Sequence, residues 1–484
     1  MSASSNVTSG FIDLATFDEI EKYMYGGPDA TAYFVRETRK STWFTQVPVI
    51  LSKASGSPAF GTDWSVSISR AGDYLLQTWL RLTTPEVMLT SAASVTSNAN
   101  VRRHLRWTRN FMHNIIKECN VTFNDLVAAR FDNYHLDFWA AFTVPASKRN
   151  GYDNMIGNVS DLTDPHPAMT KIPSYTLNLP LPFFYGRDSG VALPTAALPY
   201  NEMRINFSFR DFNELLIISY DDETTNSIPA TAADLDGGAA PNLIAHVWAN
   251  YAIVSNDERK RMACAPRDIL IEQVQTAPRS NYDPTRTSSI DIRFSHAIRV
   301  LFFAVRNTTC KAEWSIYSTA SPTVADGPVI MFFPDNAADP ILQTSLIYEN
   351  TNRLTAMGSD YFSLVNPWFH APTIPDIIGY HSYSYSLDFM ALDPMGSTNY
   401  GKLTNVSIQP EPSDAAKIAA DVLGARQTFE FVVTCVNNNI IRVSGGKHQD
   451  VPPTVSCYKR CDNSFMEKQC KLSPLIRSSM IECM

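Results

Sequence analysis

The stretch Leu179–Phe209, LPLPFFYGRDSGVALPTAALPYNEMRINFSF, decides the fold class of this chain. Pro180, Pro182, Pro194 and Pro199 each remove an amide donor and fix φ, so no helix can run through it. The chain must instead make a rigid extended loop that gathers Phe183, Phe184 and Tyr185, then a strand in which Met203, Ile205, Phe207 and Phe209 alternate with polar residues. A stiff aromatic loop feeding a half-buried strand points to architecture, not chemistry.

Working outward, the alternation recurs. Trp64, Val66 and Ile68 alternate, Ala71-Gly72-Asp73 reads as a turn, and Tyr74, Leu76, Thr78, Leu80 and Leu82 return, which predicts a hairpin with one wet face. Further strands are expected at Asn120–Phe123, Glu214–Tyr220 and His246–Val254. A second set begins at Asp268 with DILIEQVQ, continues through Ile290–Phe294 and Arg299–Val305, and resumes with Tyr383, Tyr385, Leu387 and Phe389. It closes with Phe429, Phe431 and Val433 and then Ile440–Val443. Between the sets, the charged segment Asn256–Met262 suits a linker helix, with Pro266 just beyond, and places a boundary near residue 260. Residues 221–243 and 318–342 read as long surface loops.

Two helices stand out. Thr16 and Glu19 have capping-box spacing, Phe17, Ile20 and Met24 share a face, and Gly26-Gly27 stops the run. A second helix is expected over Asp125–Phe142, where Leu126, Phe131, Leu136, Phe138, Trp139 and Phe142 form a broad apolar face that reads as core.

Several motifs in register carry a family resemblance. PLPFF, RDSG, ALP and LPYNE in the opening stretch join SGFIDLATFDEIEKYMYGG at 9–27, RWTRNFMHN at 106–114, NGYDNMIGN at 150–158, RFSHAIRVLFF at 293–303, YENTNRL at 348–354 and MGSTNYGKLTN at 395–405. From about residue 9 to Gly446 the chain resembles the major capsid proteins of nucleocytoplasmic large DNA viruses, and within them those of the iridoviruses of invertebrates. The resemblance implies an all-β double jelly roll with short helices, two eight-stranded antiparallel sandwiches in tandem. It divides the chain into an N-terminal arm with a short helix (1–35), a first jelly roll (36–258), a second (259–446) and an atypical Cys-containing tail (447–484), expected to be disordered.

The function implied is that of a major capsid protein, a homotrimer forming pseudo-hexagonal capsomers that tile the icosahedral shell of a virion assembled in the host cytoplasm. Its implied partners are neighbouring capsomers and minor capsid proteins, with the internal lipid membrane as a further contact of the N-terminal arm. Docking of the arm's helix on its own domain is an equally open reading. The loops at Phe183–Tyr185 and Gly396–Asn405 are candidates for shaping intersubunit surfaces, against packing within one chain.

Composition is consistent with these expectations. The 484 residues suit two large sandwiches as well as three average domains, and 30 prolines argue against a helical bundle. The longest apolar run, Val300–Val305, is far short of a membrane span, and neither a secretory nor a myristoylation pattern is evident, so a cytosolic origin is expected. Cys119, Cys264, Cys310 and Cys435 are scattered singly and read as small buried hydrophobes, and the Asn-X-Ser/Thr sequons at Asn6, Asn120, Asn158, Asn206, Asn307 and Asn405 as unmodified. Net charge is −8, with five basic against six acidic residues in the first 60, so no cationic arm exists to neutralise phosphates and no direct nucleic-acid contact is expected.

Chemistry is not indicated. GxSxG, HExxH, CxxC, GxxxxGK[ST] and GxGxxG are all absent, and the nine histidines are dispersed; His135 with Asp137 and His246 with Trp248 are spacings expected by chance. No enzyme activity, catalytic residue, cofactor, metal or small-molecule substrate is expected. Cys457, Cys461, Cys470 and Cys483 in the tail lack paired spacing for zinc. Two other readings are a double jelly-roll scaffold that shapes a viral membrane during assembly, and a carbohydrate-binding β-sandwich protein. The latter would want a secretion signal and a cleft with paired acids beside exposed Trp.

Overall fold

Met203–Phe209 forms a strand whose burial alternates residue by residue. In the computed structural model the described residues are 3–36, 38–90, 102–198, 201–220, 227–264, 267–320, 338–421, 427–444 and 454–457. Eight strands make the first sandwich: β1 (Phe44–Ile50), β2 (Asp63–Ser67), β3 (Tyr74–Thr83), β4 (Ile116–Phe123), β5 (Leu126–Phe131), β6 (Thr176–Pro180), β7 (Met203–Phe209) and β8 (Ile244–Val254). They form antiparallel sheets in the orders β1-β8-β3-β6 and β2-β7-β4-β5, the second extended at the β2 edge by the short strand Ser52–Ser55.

The second sandwich repeats this with β9 (Arg267–Thr276), β10 (Ile290–Asp291), β11 (Ala297–Asn307), β12 (Ile341–Tyr348), β13 (Thr351–Gly358), β14 (His381–Ser384), β15 (Val406–Pro412) and β16 (Phe429–Ser444). Its sheets run β9-β16-β11-β14 and β10-β15-β12-β13. In both sandwiches the first, eighth, third and sixth strands share one sheet, and the second, seventh, fourth and fifth the other. That order makes a jelly roll, and the chain makes it twice.

Three sequence expectations change. The hairpin across Ala71-Gly72-Asp73 does not form, because β2 pairs with β7 while β3 pairs with β8 and β6 in the opposite sheet. Alternation reports one buried face per strand and is silent on the partner. The turn carries the chain from sheet to sheet and presses on β8, where a Cβ at Gly72 would lie 2.6 Å from the Tyr251 Cβ. The helix expected over Asp125–Phe142 splits in two. Asn124 and Asp125 take left-handed φ values of 47° and 67° and make a tight turn into β5, and Asp132 then caps α3 (Asn133–Thr143), accepting a hydrogen bond from the His135 amide at 2.9 Å. Near the N-terminus the capping box is made by Asp18 and Glu21, two residues later than expected, and opens α2 (Glu19–Tyr25).

The unit Met1–Trp43 also holds a helix the sequence did not announce, α1 (Ala3–Ala15). Elsewhere, Ile290–Phe294 pairs only at β10, the strand at Tyr383 leaves its sheet after Ser384, and the two closing segments are one continuous strand, β16. The linker helix forms as expected as α5 (Asn256–Cys264), and Arg259 grips Asp73 with Nε and Nη2 at 2.7 and 2.9 Å. Of the tail, only Thr454–Cys457 falls among the described residues, paired with Ile441–Ser444; the rest of it, and with it the expectation of disorder, lies outside them.

The core explains why the sandwiches lie side by side. On β11, Leu301, Phe303 and Val305 face the second sandwich's own interior, while Val300, Phe302 and Ala304 join the core of the first. On β16, Phe431, Val433 and Cys435 face inward, and Val432, Val436, Ile441 and Val443 join that shared core. A sheet apolar on both faces must be covered on both. The cover is α3: Phe138 and Phe142 stack on Phe302 with ring centroids 5.9 and 5.4 Å apart, and Trp139 meets Phe389 at 6.2 Å. Truncating Phe302 to Ala should destabilise the chain by about 3–5 kcal/mol, read as a fall in Tm, whereas Phe302→Leu should retain most of the stability.

Candidate functional site: the seam between the sandwiches

Around the shared apolar core runs a set of buried ionic and hydrogen-bonding groups that ties the two sandwiches in one geometry. Asp137 lies on α3 and is buried. Its Oδ1 accepts from His113 Nδ1 at 2.7 Å and Asn110 Nδ2 at 3.1 Å, both on the connection between β3 and β4. Its Oδ2 accepts from the hydroxyls of Ser315 at 2.7 Å and Tyr317 at 3.0 Å, on the segment after β11. Because the carboxylate can only accept, His113 Nδ1 carries a proton, and Nε2 meets the Tyr152 hydroxyl at 2.7 Å. Burial, joined by the Asp137 charge, pushes the Tyr152 phenol well up.

Next to this lies a second cluster. Arg106 and Glu313 form an ion pair with each side chain only 2 % exposed. The Trp314 ring takes two guanidinium groups, Arg210 at 3.4 Å and Arg306 at 3.9 Å from its centroid, and its indole N–H donates to the Glu214 carbonyl at 2.9 Å. Arg210 donates onward to the Asn114 carbonyl and to Asn133 Oδ1, both at 2.8 Å. Arg306 donates to Glu430 Oε1 at 2.7 Å, to which Tyr134 also donates at 3.0 Å. Burial pushes Arg210 down to about 10, still protonated at neutral pH. At Glu430 burial alone would raise the pKa, but the charges and hydrogen bonds of Arg306, Arg279 and Tyr134 outweigh it and hold the carboxyl below its usual range. A buried pair adds little to net stability yet is costly to break, so such clusters penalise any other docking of the halves.

The structure sorts the sequence candidates. Phe183, Phe184 and Tyr185 are 1 %, 2 % and 1 % exposed and pack within the chain, with the Tyr185 hydroxyl 2.8 Å from that of Thr78. The Gly396–Asn405 loop is largely exposed apart from Tyr400 and forms one wall of a groove of about 960 Å³ between β5 and β9. His246 is exposed on β8, and Trp248 stacks across to Trp79 at 6.1 Å. Cys119, Cys310 and Cys435 are buried thiols, pushed up in pKa chiefly by burial; the Cys264 side chain is outside the described residues. Among the described residues, no group of three or more His, Cys, Asp or Glu is placed to hold a metal. Seam residues Arg106, Arg210, Glu313 and Arg306 were not singled out from the sequence, although an arginine closing the apolar run of β11 was a visible signal.

Two family descriptions match the chain in tandem: "Major capsid protein N-terminus" over residues 32–254 and "Large eukaryotic DNA virus major capsid protein" over 258–448. The chain belongs to this family. It is 65 % identical over 463 residues to the major capsid protein of Costelytra zealandica iridescent virus, covering 92 % of this chain and 98 % of the relative. The major capsid protein of Invertebrate iridescent virus 6 is 63 % identical over 462 residues, with coverage of 92 % and 98 %. That of Frog virus 3 is 45 % identical over 457 residues, with coverage of 91 % and 97 %. The fold resembles PBCV-1 VP54 at TM-score 0.68 and 17 % identity, over 89 % of this chain and all of that one. It also resembles the Faustovirus major capsid protein at TM-score 0.62 and 10 % identity, over 88 % and 94 %. The capsid protein is thus a structural subunit of the virion shell, with a double jelly-roll fold.

Two outcomes test the seam. Asp137→Asn replaces one of the two acceptor oxygens by an NH2 donor that faces two other donors, and should cost about 3–5 kcal/mol, measured by chemical denaturation. His135, buried on α3 against Trp139, is pushed down to about 3 by burial and then by the Arg187 charge. A histidine depressed in the folded state contributes stability above its unfolded pKa and loses it as pH falls toward the folded one. Between pH 7 and 5 the loss through this group should be about 2 kcal/mol, and His135→Leu should flatten the dependence in that window.

Proposed function

We propose that three chains form one capsomer, in which six jelly rolls make a pseudo-hexagonal tile of the icosahedral shell. The observation that supports this most is the identical strand order in both sandwiches, which gives three chains six wedges of similar shape. A seam that fixes the angle within each chain lets the trimer act as a rigid tile. The working division is an arm at 1–35, jelly rolls at 36–258 and 259–446, and a tail at 447–484. We assign the arm, where Val7, Phe11 and Leu14 share a face of α1, to contacts inside the shell with neighbouring subunits, minor capsid proteins or lipid. Among the described residues, no helix is long and apolar enough to cross a membrane.

On the second sandwich, Leu364, Val365, Trp368, Phe369 and Leu387 form an apolar set between and beside β13 and β14, with Trp368 70 % and Phe369 71 % exposed. A cluster of this kind favours a protein contact, and it fits the interface within the trimer. Light scattering on the purified chain should give three times the 54.0 kDa chain mass. A double Trp368→Ser, Phe369→Ser variant should shift the mass toward monomer with the fold intact by circular dichroism. A monodisperse monomer for the unaltered chain would refute the proposal.

A further inference from the structure

A cleft of about 590 Å³ opens between α3, the helix α4 (Ala146–Ile156) and the proline-rich loop, and shares Tyr152 with the seam. Its walls are apolar, with Leu136 and Trp139 on one side, Met155 on another, and Leu181 and Phe183 on the third. The charged residues of its lining are Lys148 and Arg187, and no Asp or Glu contributes. Arg187 is already engaged, donating to Glu272 at 3.0 Å and the Met390 carbonyl at 2.9 Å and lying over Trp139 at 4.6 Å. Lys148, exposed in the first turn of α4, is left as the cation at the mouth, and that turn has neither a side-chain cap nor an acid.

The size lies within the roughly 300–1,000 Å³ of sites that enclose one small ligand, and mostly apolar walls with a few placed polar groups are the usual composition of such sites. From the apolar walls and the uncompensated cation we infer that the cleft binds a free, single-tailed long-chain carboxylate, its tail among Trp139, Met155 and Phe183 and its head group paired with Lys148. A two-tailed phospholipid would exceed the volume of the cleft, and a cationic amphiphile would meet Lys148 as a like charge.

The test titrates the full-length chain with cis-parinaric acid below its micelle concentration and follows energy transfer from tryptophan to the probe. One saturable site per chain is expected. Gly151 lines the cleft and has nothing within 4 Å of the position a Cβ would take, so Gly151→Leu should fill the cleft and abolish binding without lowering Tm. Lys148→Gln should weaken the acid about tenfold, the effect of losing one charge-assisted contact, and leave binding of the corresponding alcohol unchanged. Unaltered acid binding by Gly151→Leu, equal loss of acid and alcohol in Lys148→Gln, or binding to phosphatidylcholine vesicles without binding of the monomeric probe would each overturn the inference.

Discussion

A sheet that is apolar on both faces cannot meet water on either, and the second sandwich contains such a sheet. Strands β11 and β16 send one set of side chains into their own jelly roll and the other outward, so the outer set needs a cover, of which Phe389 of the second sandwich supplies one part against Phe302. The first sandwich provides another through α3, inserted between its fifth and sixth strands, with Phe138 and Phe142 laid on Phe302. The side-by-side arrangement of two jelly rolls thus follows from burial, and the loops that decorate the capsid protein are hung on an assembly already fixed.

Burial alone is non-directional and would tolerate a rotation of one sandwich on the other. Directionality comes from the polar seam. Asp137 takes two donors from one sandwich and two donors that follow β11 in the other, and Trp314 is held by one arginine from each. A few degrees of slip would strand charges in a medium that does not solvate them, at several kcal/mol each. A shell built from many copies of one subunit needs that subunit to have one shape, and the seam meets that need chemically.

Much of the fold was legible in the residues. Alternation at Met203–Phe209 and the helix at Asn256 form as their patterns indicate, because each depends on local backbone preference, whereas the proline-rich stretch coils through short 3-10 turns at Phe184–Gly186, Ser189–Val191 and Thr195–Ala197 where an extended loop was expected. Legibility failed where partner choice was at stake. Trp64–Ile68 and Tyr74–Leu82 alternate like a hairpin, yet they serve opposite sheets, and nothing local distinguishes the two. Leu126 and Phe131 suit a helix by spacing, but Asn124 and Asp125 in left-handed turn geometry commit them to a strand. The seam was least visible, since its members lie far apart in sequence and a buried arginine looks the same there as a surface one. The inward burial of Phe183–Tyr185, with Phe183 against Phe131 at 5.0 Å, likewise depends on what lies above them in the fold.

The central claim is that the two sandwiches are one cooperative body, joined by a shared core and locked by charge. Hydrogen exchange followed by mass spectrometry at increasing denaturant tests it most directly, comparing amides of β3 and β8 in the first sandwich with those of β11 and β16 in the second. Both groups should open in a single concerted step at the same denaturant concentration. Opening of β11 and β16 while β3 and β8 stay protected, or the reverse, would contradict it.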